Sequence, residues 1–260
     1  MDYENLLYQV SDAIATITLN RPQVLNSLNR ATITELHAAL NRAGDDLSVR
    51  VVIITGAGEK AFIGGADIKE MLETVKNPGP PGAWSRLSLI EPILNLGKPT
   101  IAAVNGYCLG GGMELLYACT LAYASEGARF AQPEVNLGFN PLAGATQQLP
   151  LLAGKKKAME LLLLGEMIDA AAALRLGIIN GVVPAGELMP RVRQVAASLA
   201  AKPQLAVKLI MECVHQAGYL TLEQGLALEA KCYALCAASP DVIQGIEAFL
   251  GKRRATPDRS

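Results

Sequence analysis

Residues 98–115 read KPTIAAVNGYCLGGGMEL, and this stretch decides the fold. Residues 100–104 form an apolar, charge-free run of the kind found in a strand buried on both faces. Asn105 and Gly106 break it, and a glycine triplet, Gly110 to Gly112, then opens the apolar helical pattern MELLYA. Strand, glycine turn and helix in succession are the unit of an α/β fold. The triplet sacrifices backbone order, and Glu114 is a lone carboxylate that resists burial in so apolar a segment. Two costly features side by side mark a candidate site.

The same pattern recurs on either side. AIATITLN (13–20) alternates until Arg21-Pro22 stops it, and VRVVIITG (49–56) is a second β-branched run. TLAYASEGARFAQPEV (120–135) holds two shorter strands. Between the first two, ATITELHAALNRAGDD (31–46) places Ile33, Leu36, Leu40 and Ala43 at helical spacing. Strands alternating with helices predict a mainly parallel sheet. NPGPPG (77–82) is a loop between a helix over 68–75 and another containing 84–94. Beyond Pro184 the pattern is helical throughout, so the division falls between 186 and 203. It is taken as a core of residues 1–195 and a helical subdomain of 196–260 with a frayed end.

Composition excludes several classes. The 260 residues are 51% hydrophobic with a net charge of −1, which suits a globular protein with a large core and argues against nucleic acid as a partner. The N-terminal residues lack the basic and apolar regions of a secretion signal, and no apolar run is long enough to span a membrane. Five cysteines, without a C-x-x-C, read as reduced thiols of a cytoplasmic protein.

Several motifs fail. GAGEKA (56–61) fits the dinucleotide fingerprint, but AFIGG comes after it where a helix is required. Leu149 stands where a phosphate-binding loop ending in Gly154-Lys155 needs glycine, and Lys155 to Lys157 read as a solvated helix start. There is no G-x-S-x-G, the two histidines (His37 and His215) lie in separate helical patterns, and no cluster has metal-ligand spacing.

Two carboxylates survive. Glu114 is the only Asp, Glu, Lys or Arg between Lys98 and Glu126, and a run free of such residues extends from Glu134 up to Lys155. Apolar surroundings raise a carboxyl pKa toward the range of acid–base catalysis. The helix opening at Gly111 also offers unpartnered N–H groups at its positive end. AFIGGADIKEM (61–71) repeats the strand–glycine–helix plan, with Asp67 as the expected N-cap and the N–H of Ala66 turned outward. The two turns supply two donors to one enolate-like oxygen.

Taken in order, NRPQVLNSLN (20–29), KAFIGGADIKEM (60–71), KPTIAAVNGYCLGGGMEL (98–115), FAQPEVNLGFNPLAGATQQL (130–149) and FLGKRR (249–254) resemble the crotonase, or enoyl-CoA hydratase/isomerase, superfamily over nearly the whole chain. The resemblance implies an α/β spiral of ββα units with a C-terminal helical subdomain. It also implies acyl-CoA thioester substrates, trimers or dimers of trimers, a place in fatty acid metabolism, no metal and no cofactor beyond the CoA of the substrate. It places oxyanion donors at the N–H groups of Ala66 and Gly111. Glu114 would take a proton from water as its oxygen adds to Cβ, and Glu134 would deliver one to Cα. Having both carboxylates favours hydration, with an isomerase or a hydratase of a cyclic or dienoyl-CoA as alternatives. Substrate-binding positions are Ala61, Ile63, Gly64, Asp67, Ile68, Trp84, Gly110 and Leu142. Hydratases usually read G-x-x-P-G-A-G-G-T where this chain reads GFNPLAGAT (138–146), so Leu142 is expected to add bulk to the acyl-pocket floor. One relative binds RNA through lysines on an early helix; residues 31–46 contain none, so RNA is not expected here.

Overall fold

A computed structural model describes residues 3–78 and 89–251. An antiparallel pair, β1 (Leu6–Ser11) and β2 (Ile14–Leu19), leads into α1 (Arg30–Asp45). Three repeats come next, each giving one strand to each of two sheets. The first contains β3 (Val51–Gly56), β4 (Ala61–Ile63) and α2 (Ile68–Lys76), with α3 (Glu91–Leu94) beyond it. The second contains β5 (Thr100–Val104), β6 (Tyr107–Leu109) and α4 (Gly111–Ala118). The third contains β7 (Leu121–Ser125), β8 (Arg129–Ala131), a 3-10 turn (Pro133–Leu137), α5 (Ala145–Ala153) and α6 (Lys155–Leu164). Then β9 (Ile168–Asp169), α7 (Ala170–Arg175) and β10 (Gly181–Val183) complete both sheets. Four helices end the described chain: α8 (Leu188–Ala200), α9 (Gln204–Gln216), α10 (Leu222–Ala237) and α11 (Pro240–Leu250).

The larger sheet has the order β1-β2-β3-β5-β7-β10 and is parallel except for β1. The smaller has the order β4-β6-β8-β9 and is parallel except for β9. This is a spiral of ββα repeats, the α/β architecture that the resemblance implied. The expected single turn between residues 104 and 111 needs one correction, since β6 intervenes and belongs to the other sheet. The crossing between sheets is tight. A Cβ on Gly106 would run into the carbonyl of Lys60, so only glycine fits there.

Alternation along the strands explains why both faces of the large sheet are buried. Val52 and Ile54 of β3, with Ala102 and Val104 of β5, join the main core under α1 and α4. Val51 and Ile53, with Ile101 and Ala103, face a second core closed by α8. Leu188, Val192, Ala196 and Ala200 line that face of α8 at successive turns. The helix therefore runs across the 195/196 division and packs on the sheet. On α9 and α10 only Leu209 and Cys232 are buried, and on α11 nothing is.

The ends of the expected 77–82 loop and 84–94 helix are described, but their remainder, including Trp84, and the tail beyond residue 251 lie outside the described residues. Among the described residues no helix is long and apolar enough to cross a membrane, and all five cysteines are free thiols. GAGEKA forms the link from β3 to β4 with no helix after it, consistent with rejecting the dinucleotide reading.

Candidate active site

The site forms where two glycine turns meet. Gly110 precedes α4 with φ +51° and ψ −117°, a conformation costly for any residue with a Cβ, and it leaves the helix without a side-chain cap. Gly112 serves packing instead: a Cβ there would stand 2.6 Å from the carbonyl oxygen of Ile63 on β4. Gly110 N–H donates to the carbonyl of Ala131 at 2.9 Å, so Gly111 is the first residue of the turn to present its N–H. Among the described residues that N–H has no acceptor within the chain. The same is true of Ala66, although its neighbours are tied to the segment before α1: Leu28 N–H donates to Gly65 at 2.8 Å, and Asp67 N–H donates to Leu28 at 2.8 Å. The structure thus leaves free both N–H groups expected as donors.

Glu114 lies in the first turn of α4 and is only 5% exposed. Its Oε1 accepts a hydrogen bond from the N–H of Ala143 at 2.6 Å. Burial pushes its carboxyl above the usual range, and the N–H groups of Ala143, Ala145 and Leu142 offset only part of that shift. Residues 142–145 and the N-terminus of α5 therefore form a cradle for this carboxylate.

Glu134 approaches from the 3-10 turn after β8. Its Oε1 stands so close to Gly110 that a Cβ there would lie 2.8 Å away. Its other oxygen, Oε2, is buried and has no hydrogen-bond partner among the described residues. Burial pushes this carboxyl up to about 6; its own N–H lowers it, and the charge of Glu114 raises it again. The charge of Glu114 is the smallest of these three effects on Glu134.

The other expected positions divide. Ala61, Ile63 and Gly64 form β4 and its exit; the two side chains are buried, and Gly64 packs against Leu25. Ile68 is exposed on α2. Asp67 stands at the N-cap of α2, where the N–H groups of Lys69 and Glu70 face its carboxylate without closing a capping hydrogen bond of full geometry. Its carboxylate instead pairs with Arg21 at 3.0 Å, a partner 46 positions away that the local motif could not reveal. Burial raises the Asp67 carboxyl, but Arg21 and the N–H groups of Glu70 and Lys69 outweigh this and hold it below the usual range. Leu142 reaches Glu114 through its backbone. The residue is 67% exposed, so its side chain forms an open rim beside that carboxylate.

Sequence reasoning assigns no role to Asn26. Its side chain accepts from the N–H of Arg21 and donates to the carbonyls of Ala57 and Ala61. Leu25 and Asn26 both have positive φ, and the carbonyl of Leu25 accepts from Gly64 N–H at 2.8 Å. This bracket fixes the first glycine turn; its signal is the NRPQVLNSLN stretch. Among the described residues no cluster of three or more His, Cys, Asp or Glu is placed to hold a metal.

Known proteins resemble the chain over nearly its whole length. A sequence model of the enoyl-CoA hydratase/isomerase family matches residues 9–257. The chain is 38% identical to a crotonyl-CoA hydratase of Syntrophomonas wolfei over 98% of each chain. It is 37% identical to a short-chain-enoyl-CoA hydratase of Clostridium acetobutylicum over 98% of this chain and 97% of the relative. An enoyl-CoA hydratase crystal structure from Bacillus anthracis superposes with a TM-score of 0.91 at 33% identity, covering 99% of this chain and 100% of that one. The chain belongs to the enoyl-CoA hydratase/isomerase family.

Proposed function

We propose that the protein is a hydro-lyase that adds water across the 2,3 double bond of an enoyl-CoA thioester. The observation that carries this reading is the meeting of two carboxyls with raised pKa at the open end of α4, beside the free N–H groups of Gly111 and Ala66. The thioester oxygen would accept from both N–H groups, so the negative charge that develops on it meets oriented donors. Glu114 in its ionised form takes a proton from water as the oxygen bonds to Cβ. The electrons of the double bond move into the thioester as an enolate, and Glu134 in its protonated form gives its proton to Cα. Exchange with solvent restores the two protonation states. No metal or redox cofactor enters these steps, and CoA belongs to the substrate.

Ile68, Leu72 and Val75 form an exposed apolar stripe on α2, fitting a wall for the acyl group. The rim residue Leu142 makes a cyclic or dienoyl acyl group the variant to test beside straight chains. Exposed Ile210, Val214, Tyr233, Ile243 and Phe249 on the C-terminal helices support assembly into trimers or pairs of trimers, which light scattering measures.

Loss of enoyl-thioester absorbance with crotonyl-CoA and a panel of longer, cyclic and dienoyl thioesters tests the reaction. Glu114→Gln and Glu134→Gln should both remain folded and lose turnover. Hydration near the unsubstituted rate in either variant would overturn the two-carboxylate mechanism.

A further inference from the structure

Tyr117 lies three residues after Glu114 on α4, so the two side chains share one face of the helix. Its hydroxyl oxygen is buried without a hydrogen-bond partner among the described residues, and so is Oε2 of Glu134. Gln132, 2% exposed between β8 and Glu134, has both side-chain polar atoms in the same condition. Register places Gln132 on the same face as Cys108. Cys108 pairs with Phe130, and Gly110 N–H bonds to Ala131, so strand alternation puts Cys108, Phe130 and Gln132 on one face of the small sheet. The environment of the phenol agrees. Burial first, then Cys108, Glu114 and Glu134, push it well above its usual range, so it remains a neutral donor.

Unpartnered polar atoms this deep are rare in folded proteins, and a water with two to four polar neighbours commonly resolves them. We propose that Tyr117 is a positioning residue: its hydroxyl donates through one bridging water to Oε2 of Glu134, and so keeps the transferable proton on Oε1, the oxygen beside Gly110. The inference rests on the two-carboxylate reading. Of the charges on neighbouring elements, Lys155 and Lys156 stand exposed at the start of α6. Glu114 belongs to the mechanism, burial keeps the Cys108 thiol neutral, and on α6, which packs against the 3-10 turn, Lys157 pairs with Glu160 at 2.7 Å.

Tyr117→Phe removes only the hydroxyl. Losing a hydrogen bond to a charged group is expected to lower kcat about tenfold, with KM unchanged. With no donor to its ionised form, Glu134 holds its proton to higher pH, so the basic limb of kcat/KM against pH moves up by about one pH unit. Tyr117→Leu should move the limb equally, because the ring is not the agent. A limb that stays in place in a folded Tyr117→Phe protein would overturn the proposal, as would a limb moved only by Tyr117→Leu. Lower thermal stability with an unmoved limb would assign the hydroxyl a purely structural role and also overturn it. If the unsubstituted protein hydrates no enoyl-CoA, the functional reading itself fails, which a silent Tyr117→Phe would not imply.

Discussion

The two glycine turns of the site share one plan and lead into helices of opposite burial. After the first, α2 has no buried residue. After the second, six of the eight residues of α4 are buried, Glu114 among them. One plan therefore yields two parts: an open turn that leads into an exposed apolar stripe, and a closed turn whose carboxylate is fixed by packing. Burial raises the affinity of that carboxylate for a proton, and packing keeps it aimed. The contrast predicts that substitutions in the closed unit cost chemistry, while those on the open rim change selectivity.

The largest effect should come from Glu114→Gln. The amide cannot take a proton from water, and turnover should fall by about 10²–10⁴ in a steady-state assay. The fold should persist, because the amide oxygen can still accept from Ala143. Glu134→Gln should also abolish most turnover, and it adds a second readout. The Glu134 carboxyl titrates near 6 in the folded chain against an ordinary 4.5, so the folded state binds the proton more tightly than the unfolded state does. That contribution to stability is present below the ordinary value and is lost as pH rises through 6. At pH 8 the buried carboxylate is ionised, and Glu134→Gln should raise the melting temperature by about 2 °C. At pH 4 the two proteins should melt together. A melting temperature equally raised at both pH values would show that packing, not the charge, is responsible.

Gly112→Ala tests the closed unit without touching a carboxylate. The added Cβ meets the carbonyl of Ile63, and backbone cannot swing aside, so α4 must separate from β4. Overpacking of this kind should cost about 1–3 kcal/mol in denaturant unfolding. Turnover should fall too, since the two glycine turns would be pushed apart. Gly127→Ala is the control: nothing lies within 4 Å of its added Cβ, and its stability should be unchanged.

How much of this contrast is legible in the sequence depends on the range of each interaction. Residues 49–56 and 100–104 are legible as strands because six or five consecutive buried positions leave an unmistakable run. Three-residue β6 and two-residue β9 leave none, since they form only by pairing with β4 and β8. Glu114 and Glu134 are visible through the uncharged residues around them. Tyr117, Gln132 and Asn26 are not, because a polar side chain in an apolar pattern looks alike whether it meets solvent or a buried neighbour. Asp67 reads as a cap for a related reason: capping is local, whereas its ion pair with Arg21 arises only once the chain has folded.

Leu142→Gly, on the rim, should give the smallest change and the most selective one. The residue is 67% exposed, so removing its side chain should leave the melting temperature nearly unchanged. Its backbone N–H still belongs to the cradle of Glu114, so hydration itself should continue. What changes is the room beside the carboxylates. Glycine clears the rim, and rates with straight-chain enoyl thioesters should shift by about tenfold relative to cyclic or dienoyl ones, the scale at which one or two methylenes discriminate in an apolar pocket. Unchanged relative rates across the panel would mean that Leu142 never meets the acyl group, and selectivity would then have to arise from the wall formed by α2.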